Sequence, residues 1–293
     1  MIKKVIVIFI AFILLYAGLV HLQVFLGRIA GNKRPGNETA EAPSQKVYFF
    51  SFTKYSPEGE KELEIEGDSA DILSKTVDLM NVVAKAYAQE TPVIITADEG
   101  YYDKVKETVH LEKNVVATTE DGTRLLTEQL EILPSDKIME TEEPTEVKKD
   151  NINVDGLGVR GDSNLKKVKF QKNVKVVVKD PDRENALPTV ITCDGPLILD
   201  YDKNIAYFHD NVISKDERGT LTADRMDVYY NKANRRVAKI IAFGNVVIEN
   251  PDGNKTYSEH VIYLAEEGRV ILGGDSEALY YEGNSGSVPQ ELV

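Results

Sequence analysis

The chain has one cysteine, no tryptophan, four histidines and no excess of positive charge, and most of these shortages remove a class of explanation. A lone Cys193 cannot close an intrachain disulfide, so no disulfide framework holds the fold. It occupies the alanine slot of a recurring Thr-Ala-Asp phrase and reads as a small buried side chain rather than a nucleophile. The histidines, at 21, 110, 209 and 260, show neither His-Glu-x-x-His nor His-x-His spacing, and no cysteine pair stands beside them. There is no Asp-x-Asp-x-Asp-Gly calcium loop, no Gly-x-Ser-x-Gly elbow and no Walker loop. No metal and no cofactor is expected, and nothing in the sequence looks like an active site. The 35 lysines and arginines fall short of the 48 acids, for a formal net charge of −13. That balance lacks the basic footprint a nucleic-acid partner needs.

What is present begins at the N-terminus. After Lys3-Lys4, residues 5–26 are apolar apart from His21 and Gln23, which is long enough to cross a hydrocarbon core near 30 Å. A cleaved signal peptide has a shorter apolar region and a small-residue cleavage site. The reading is therefore an uncleaved single span, with residues 1–4 as a cytoplasmic tip and the bulk of the chain exported. Residues 27–45 are rich in Gly, Pro, Asn and charge and read as a tether.

From Val47 onward the pattern is β. In Lys166 to Lys179, Val168, Phe170, Val174, Val176 and Val178 fall on one face of a period-2 strand, and Lys167, Lys169, Gln171, Asn173 and Lys175 on the other. Lys172, on the apolar face, marks a bulge or reaches out to a rim. The lysine face either guards a sheet edge against aggregation or offers a dock for anionic groups. Segment 69–88 contains good helix formers but reads as two strands. Asp121-Gly122, Arg218-Gly219 and Asp252-Gly253 mark tight turns.

Two short phrases keep a beat of about thirty residues. Asn-Val starts at 81, 114, 153, 173, 211 and 245. An acid after a small or polar residue falls at 71, 98, 128, 155, 194, 224 and 259. A catalytic pair would need two carboxyls converging on one spot with their pKa values pushed apart. A repeated acid fits turn and strand-end chemistry better, where Asp and Asn accept backbone N–H bonds or take left-handed conformations. A break rich in proline and charge at 179–189 separates four beats from three. The fold class expected is all-β: open, twisted antiparallel jelly rolls built from repeated strand pairs, preceded by one transmembrane helix.

These features together resemble the LptC family of lipopolysaccharide-export proteins, followed by an OstA/LptA-like repeat. Tyr55-Ser56-Pro57-Glu58-Gly59 resembles the family's opening Tyr-x-Pro-Glu-Gly. Thr96-Ala97-Asp98, the Leu-x-x-Asn-Val of Leu111 to Val115 and Leu126-Thr127-Glu128 follow in order. Gly156-Leu157-Gly158-Val159-Arg160-Gly161 is similar to the family's Gly-Leu-x-x-Arg-Gly. The resemblance implies an LptC-like jelly roll over 46–180, an OstA/LptA-like β domain over 189–285 and a tail at 286–293. It implies no enzyme, but an inner-membrane protein with its bulk in the periplasm. Such a protein would accept lipopolysaccharide from an ABC transporter and pass it toward the outer membrane. A bridge protein of the OstA/LptA type, or an OstA-like domain of the outer-membrane translocon, would dock by edge-strand addition. Val168, Phe170, Val174, Val176 and Val178 would line a first groove, and Met226 and Val228 a second. Gly156, Leu157, Arg160 and Gly161 would matter for fold or docking. A minimal LptC would stop soon after residue 180, so the extra repeat stands where part of the bridge would be. The rival readings are an anchored β scaffold with a filled core and an envelope enzyme acting on glycans.

Overall fold

The computed structural model describes residues 45–87, 92–179, 187–233 and 236–279. The apolar segment 5–26, its tip, the tether as far as residue 44 and the tail 286–293 lie outside these residues. Among the described residues no helix is long and apolar enough to cross a membrane.

Seventeen strands among the described residues form one antiparallel sheet. The first nine are β1 (Gln45–Tyr55), β2 (Lys61–Ile72), β3 (Thr76–Ala86), β4 (Val93–Asp103), β5 (Thr108–Thr118), β6 (Arg124–Leu133), β7 (Ile138–Lys149), β8 (Ile152–Asp162) and β9 (Lys167–Val178). Each pairs with the next. β10 (Thr189–Cys193) and β11 (Leu197–Asp200) then lie end to end along β9, as one strand broken at Asp194-Gly195-Pro196. β12 (Ile205–Asp216), β13 (Gly219–Tyr230), β14 (Val237–Glu249) and β15 (Lys255–Leu264) continue the meander. β16 (Arg269–Gly273) and β17 (Glu277–Leu279) share the far side of β15. The segment that could pass for a helix is the end of β2 and the whole of β3, as its repeat phrases imply.

Alternation places the side chains. On β9, Val168, Phe170, Val174 and Val176 are at most 2% exposed, while Lys167, Lys169 and Lys175 face solvent. The edge-guarding reading of these lysines is overturned. β9 pairs with β8 on one side and with β10 and β11 on the other, so it is a central strand with no edge to guard. Lys172 is exposed beside Asn173, whose φ is 53°, and so marks a bulge.

Five of the six Asn-Val steps lie at the middle of strands, not at their ends; Asn153 is near the start of β8. Asn81, Asn114, Asn173, Asn211 and Asn245 all have left-handed backbone, with φ between 47° and 53°. In three strands the preceding residue is left-handed too, giving the steps Lys113-Asn114, Asp210-Asn211 and Gly244-Asn245. Asparagine tolerates this region because its short polar side chain can bond locally. Here it bonds across to an acid on the previous strand: Asn81 donates to Asp68 at 2.7 Å, Asn114 to Asp98 at 2.6 Å, Asn211 to Asp194 at 2.6 Å and Asn245 to Asp224 at 2.9 Å. The ladder register shifts at corresponding points in β4–β5, β5–β6, β6–β7, β7–β8, β12–β13, β13–β14 and β14–β15. Bulges bend strands, and a row of them draws a crease across the sheet.

The sheet doubles over along that crease. Lys54, near the end of β1, bonds Glu107 at 2.7 Å and Ser135 at 3.0 Å, though both lie in turns at the opposite end of the strands. Lys149 stands 4.8 Å from the Tyr201 ring, again end to end. Arg218 reaches the Tyr263 hydroxyl at 3.4 Å in the same way. Phe52 of one arm also meets Tyr102 of the other, ring centroids 5.4 Å apart. The inward residues of the central strands reach their low exposure because the sheet's own other half covers them. The described residues form one compact unit. Replacing Asn211 with alanine should lower the urea unfolding free energy by about 2 kcal/mol, from the lost bond and the left-handed strain. Replacing it with glycine should cost about half as much, because only the bond is lost.

Candidate functional site

The inner face is the feature to weigh. Each strand contributes alternate residues on either side of the crease: Leu63 and Ile65 from β2, Ile95 from β4, Leu111 from β5, Ile132 from β6, Phe170 from β9, Leu197 from β11 and Phe208 from β12 are all at most 1% exposed. They belong to one apolar cluster running from β2 into β13. Burying each such side chain is worth roughly 1.5–3 kcal/mol.

The residues expected to line grooves all point inward. Val168, Phe170, Val174 and Val176 sit in that cluster, with Val178 half-buried against it, and Met226 and Val228 of β13 are each 1% exposed. The four β8 residues do not share one place. A side chain at Gly156 would put its Cβ 2.6 Å from Phe170 Cδ1, so Gly156 makes room for that ring. Leu157 is half-buried opposite Lys172 at the crease. Arg160 lies on the outer face, paired with Glu140 at 2.5 Å. At Gly161 an added Cβ would stand 3.3 Å from Leu165 Cδ2.

From β2 to β9 the middle of the interior is closely packed by the chain's own side chains. Toward the far end it opens. A cavity of about 220 Å³ lies between the arms, walled by Leu221, Met226, Ile240, Ala242, Ile248 and Val261, with Arg218 and Tyr263 at the strand tips. Sequence alternation does not single out Ile240 and Ile248 as wall residues, because β14 carries apolar residues on both faces, with Ile241 and Val247 beside them. In β16, Val270 and Leu272 remain 50% and 37% exposed.

The chemistry of this interior is that of a solvent for hydrocarbon. Burial pushes the Cys193 thiol up to about 11 and the Tyr230 hydroxyl up to about 12, so both stay neutral. Among the described residues no three His, Cys, Asp or Glu side chains converge on a metal position.

A family model described as lipopolysaccharide-assembly, LptC-related, matches residues 6–179, more than half of the chain. The chain belongs to the LptC-related family. A second model, described as LptA/(LptD N-terminal domain) LPS transport protein, matches residues 196–287, so this LptC-family chain carries an additional OstA-like domain. No curated protein matches it. Both families serve lipopolysaccharide transport in the periplasm and are lipid transport proteins rather than enzymes. Between the matched stretches the LptC sheet does not stop. β10 lies in the gap and pairs Val174–Val178 of β9 on one side and Ile213–Lys215 of β12 on the other. Gly195 presses against the backbone of Gln171 and Lys172, where any side chain would collide.

Gly156→Val should lower the unfolding free energy by about 3 kcal/mol, by driving Phe170 from its seat. Arg160→Ala should change it by less than about 1 kcal/mol, since the pair with Glu140 is exposed. Urea melts of the two variants would check both values.

Proposed function

We propose that the chain is anchored in the inner membrane by residues 5–26 and that residues 46–180 and 189–285 form two open jelly rolls sharing one groove. It receives lipopolysaccharide from an inner-membrane ABC transporter and passes it toward the outer membrane. The supporting observation is the apolar inner face that continues from the LptC-matched strands into the OstA-like ones and ends in an open cavity.

Burying acyl chain is worth roughly 0.8 kcal/mol per methylene, or about 10 kcal/mol for a twelve-carbon chain. Release of such a chain to water is correspondingly slow, whereas exchange between similar apolar interiors is nearly isoenergetic. Direction then comes from the transporter's ATP hydrolysis. The sheet has two edges for neighbours. β1, next to the tether, exposes Tyr48 and Phe49, and faces the transporter. β16, with its exposed Val-Ile-Leu run, accepts a strand from an OstA/LptA-like bridge protein or from the outer-membrane translocon.

One observation favours the scaffold reading: the middle of the β2–β9 interior is already closely packed. In the transport reading the arms part, and acyl chains replace side-chain contacts across the slit. A photo-crosslinking residue at Val176 or at Lys175, in the full chain mixed with lipopolysaccharide, separates the two. Transport predicts an adduct from 176 and none from 175. No adduct from either position, with the β circular dichroism intact, would leave the filled-core scaffold.

A further inference from the structure

The slit between the two arms is bridged at the strand tips, and one bridge stands at the junction of the two family domains. Lys149, the last residue of β7, has a side chain only 14% exposed. Its ammonium hydrogen-bonds the Asp121 carboxylate on its own arm and stands 4.8 Å from the centroid of Tyr201 on the other. Asp121 is held for this contact by the Thr119 and Thr123 hydroxyls, which donate at 2.6 and 2.8 Å. Partial burial works against its charge, yet Lys149 and the threonines keep the carboxyl below the usual carboxylate range. Tyr201 lies in the turn between β11 and β12, and its backbone N–H bonds the Lys166 carbonyl at 2.8 Å. Pro92 and Val93 from one arm and Leu165 and Tyr201 from the other wall a cavity of about 340 Å³ around the contact. The LptC match ends at residue 179 and the OstA-like match begins at 196, so this closure spans the boundary between them.

We propose that Lys149 is a latch that closes the slit at the junction of the two domains, with Asp121 positioning it and Tyr201 receiving it. It must release before an amphiphile moves from the first interior to the second. The inference rests on the transport reading. An acyl chain can slide within an apolar interior, but a sugar-phosphate head must project through the slit. A head of that kind cannot pass a point where the lips are joined. Opening there costs the cation–aromatic contact between Lys149 and Tyr201.

Cys193 supplies an internal reporter. It is 4% exposed, faces inward on β10 and is the one thiol of the chain. The test is its alkylation rate by iodoacetamide in the full, lipid-free chain under native conditions, with the urea midpoint measured alongside. Lys149→Met and Tyr201→Leu should each raise the rate roughly tenfold, and Lys149→Arg should leave it near wild type. Lys54→Met, which breaks the tip bridge to Glu107, should not raise it. Amide exchange in Lys149→Met should quicken around residues 147–149 and 199–201 and nowhere else. Wild-type alkylation in both Lys149→Met and Tyr201→Leu would overturn the latch. Equal acceleration by Lys54→Met would overturn it too, since the sheet would then be opening as a whole. No lipid is present in this experiment, so its failure would leave transport itself to be decided by the Val176 crosslink. If both hold, Lys149→Met should raise the ratio of lipopolysaccharide adducts at Ile240 to those at Val176.

Discussion

A left-handed residue halfway along a strand costs about 1–2 kcal/mol for anything but glycine, and this chain accepts that cost in strand after strand. The compensation is a short bond from the asparagine amide to an aspartate on the neighbouring strand. The effect is mechanical. Without the crease, the inner face would be one side of a flat sheet open to water. With it, two arms of the same sheet cover each other, and one meander has an interior without a second layer. The bridges at the strand tips, the closely packed first half and the cavity of the second half all follow from where the crease runs.

The same geometry gives the interior two characters. From β2 to β9 the inward residues pack against one another across the slit, and a cavity remains at the strand tips beside Lys149 and Tyr201. In the last strands the cavity stands open beside β16, which among the described residues pairs on one side only. A carrier of hydrocarbon can exploit that difference, because apolar contacts across the slit exchange for contacts with acyl chain at little net cost. The polar contacts at the tips are the part that does not exchange, and they set where the arms part.

Much of this was legible in the sequence. Period-2 alternation placed Val168, Phe170, Val174 and Val176 on the inner face and Lys175 on the outer, because inward facing is a local property of a strand. The asparagine beat was visible, but its meaning was not. The bonded Asp and Asn are 13, 16, 17 and 21 residues apart, since hairpin lengths vary, so no fixed spacing advertises the pair. In the first beat the partner is Asp68, not the Asp71 that keeps time, and Asp71 pairs with Lys46. Asn153 belongs to the beat by sequence yet is not among the left-handed residues; its amide reaches Asp155 on its own strand at 3.3 Å. The lysine face of β9 looked like an edge because strand order across a sheet is not a local property. The meeting of Lys149 with Tyr201 depends on the folding of the whole sheet, and no short window of sequence contains it.

The central claim is that a creased sheet encloses an interior that lipopolysaccharide fills by parting the arms. The most direct measurement is the distance between spin labels at Glu217, in the β12–β13 turn, and Glu267, in the β15–β16 turn. These turns sit at opposite ends of β14, whose 13 residues would hold them about 40 Å apart if the strand were straight. The account predicts well under half that distance in the lipid-free chain and a longer, still folded-back distance when lipopolysaccharide is bound. A separation near the straight-strand value without lipid, or one that does not change when lipid binds, would contradict it.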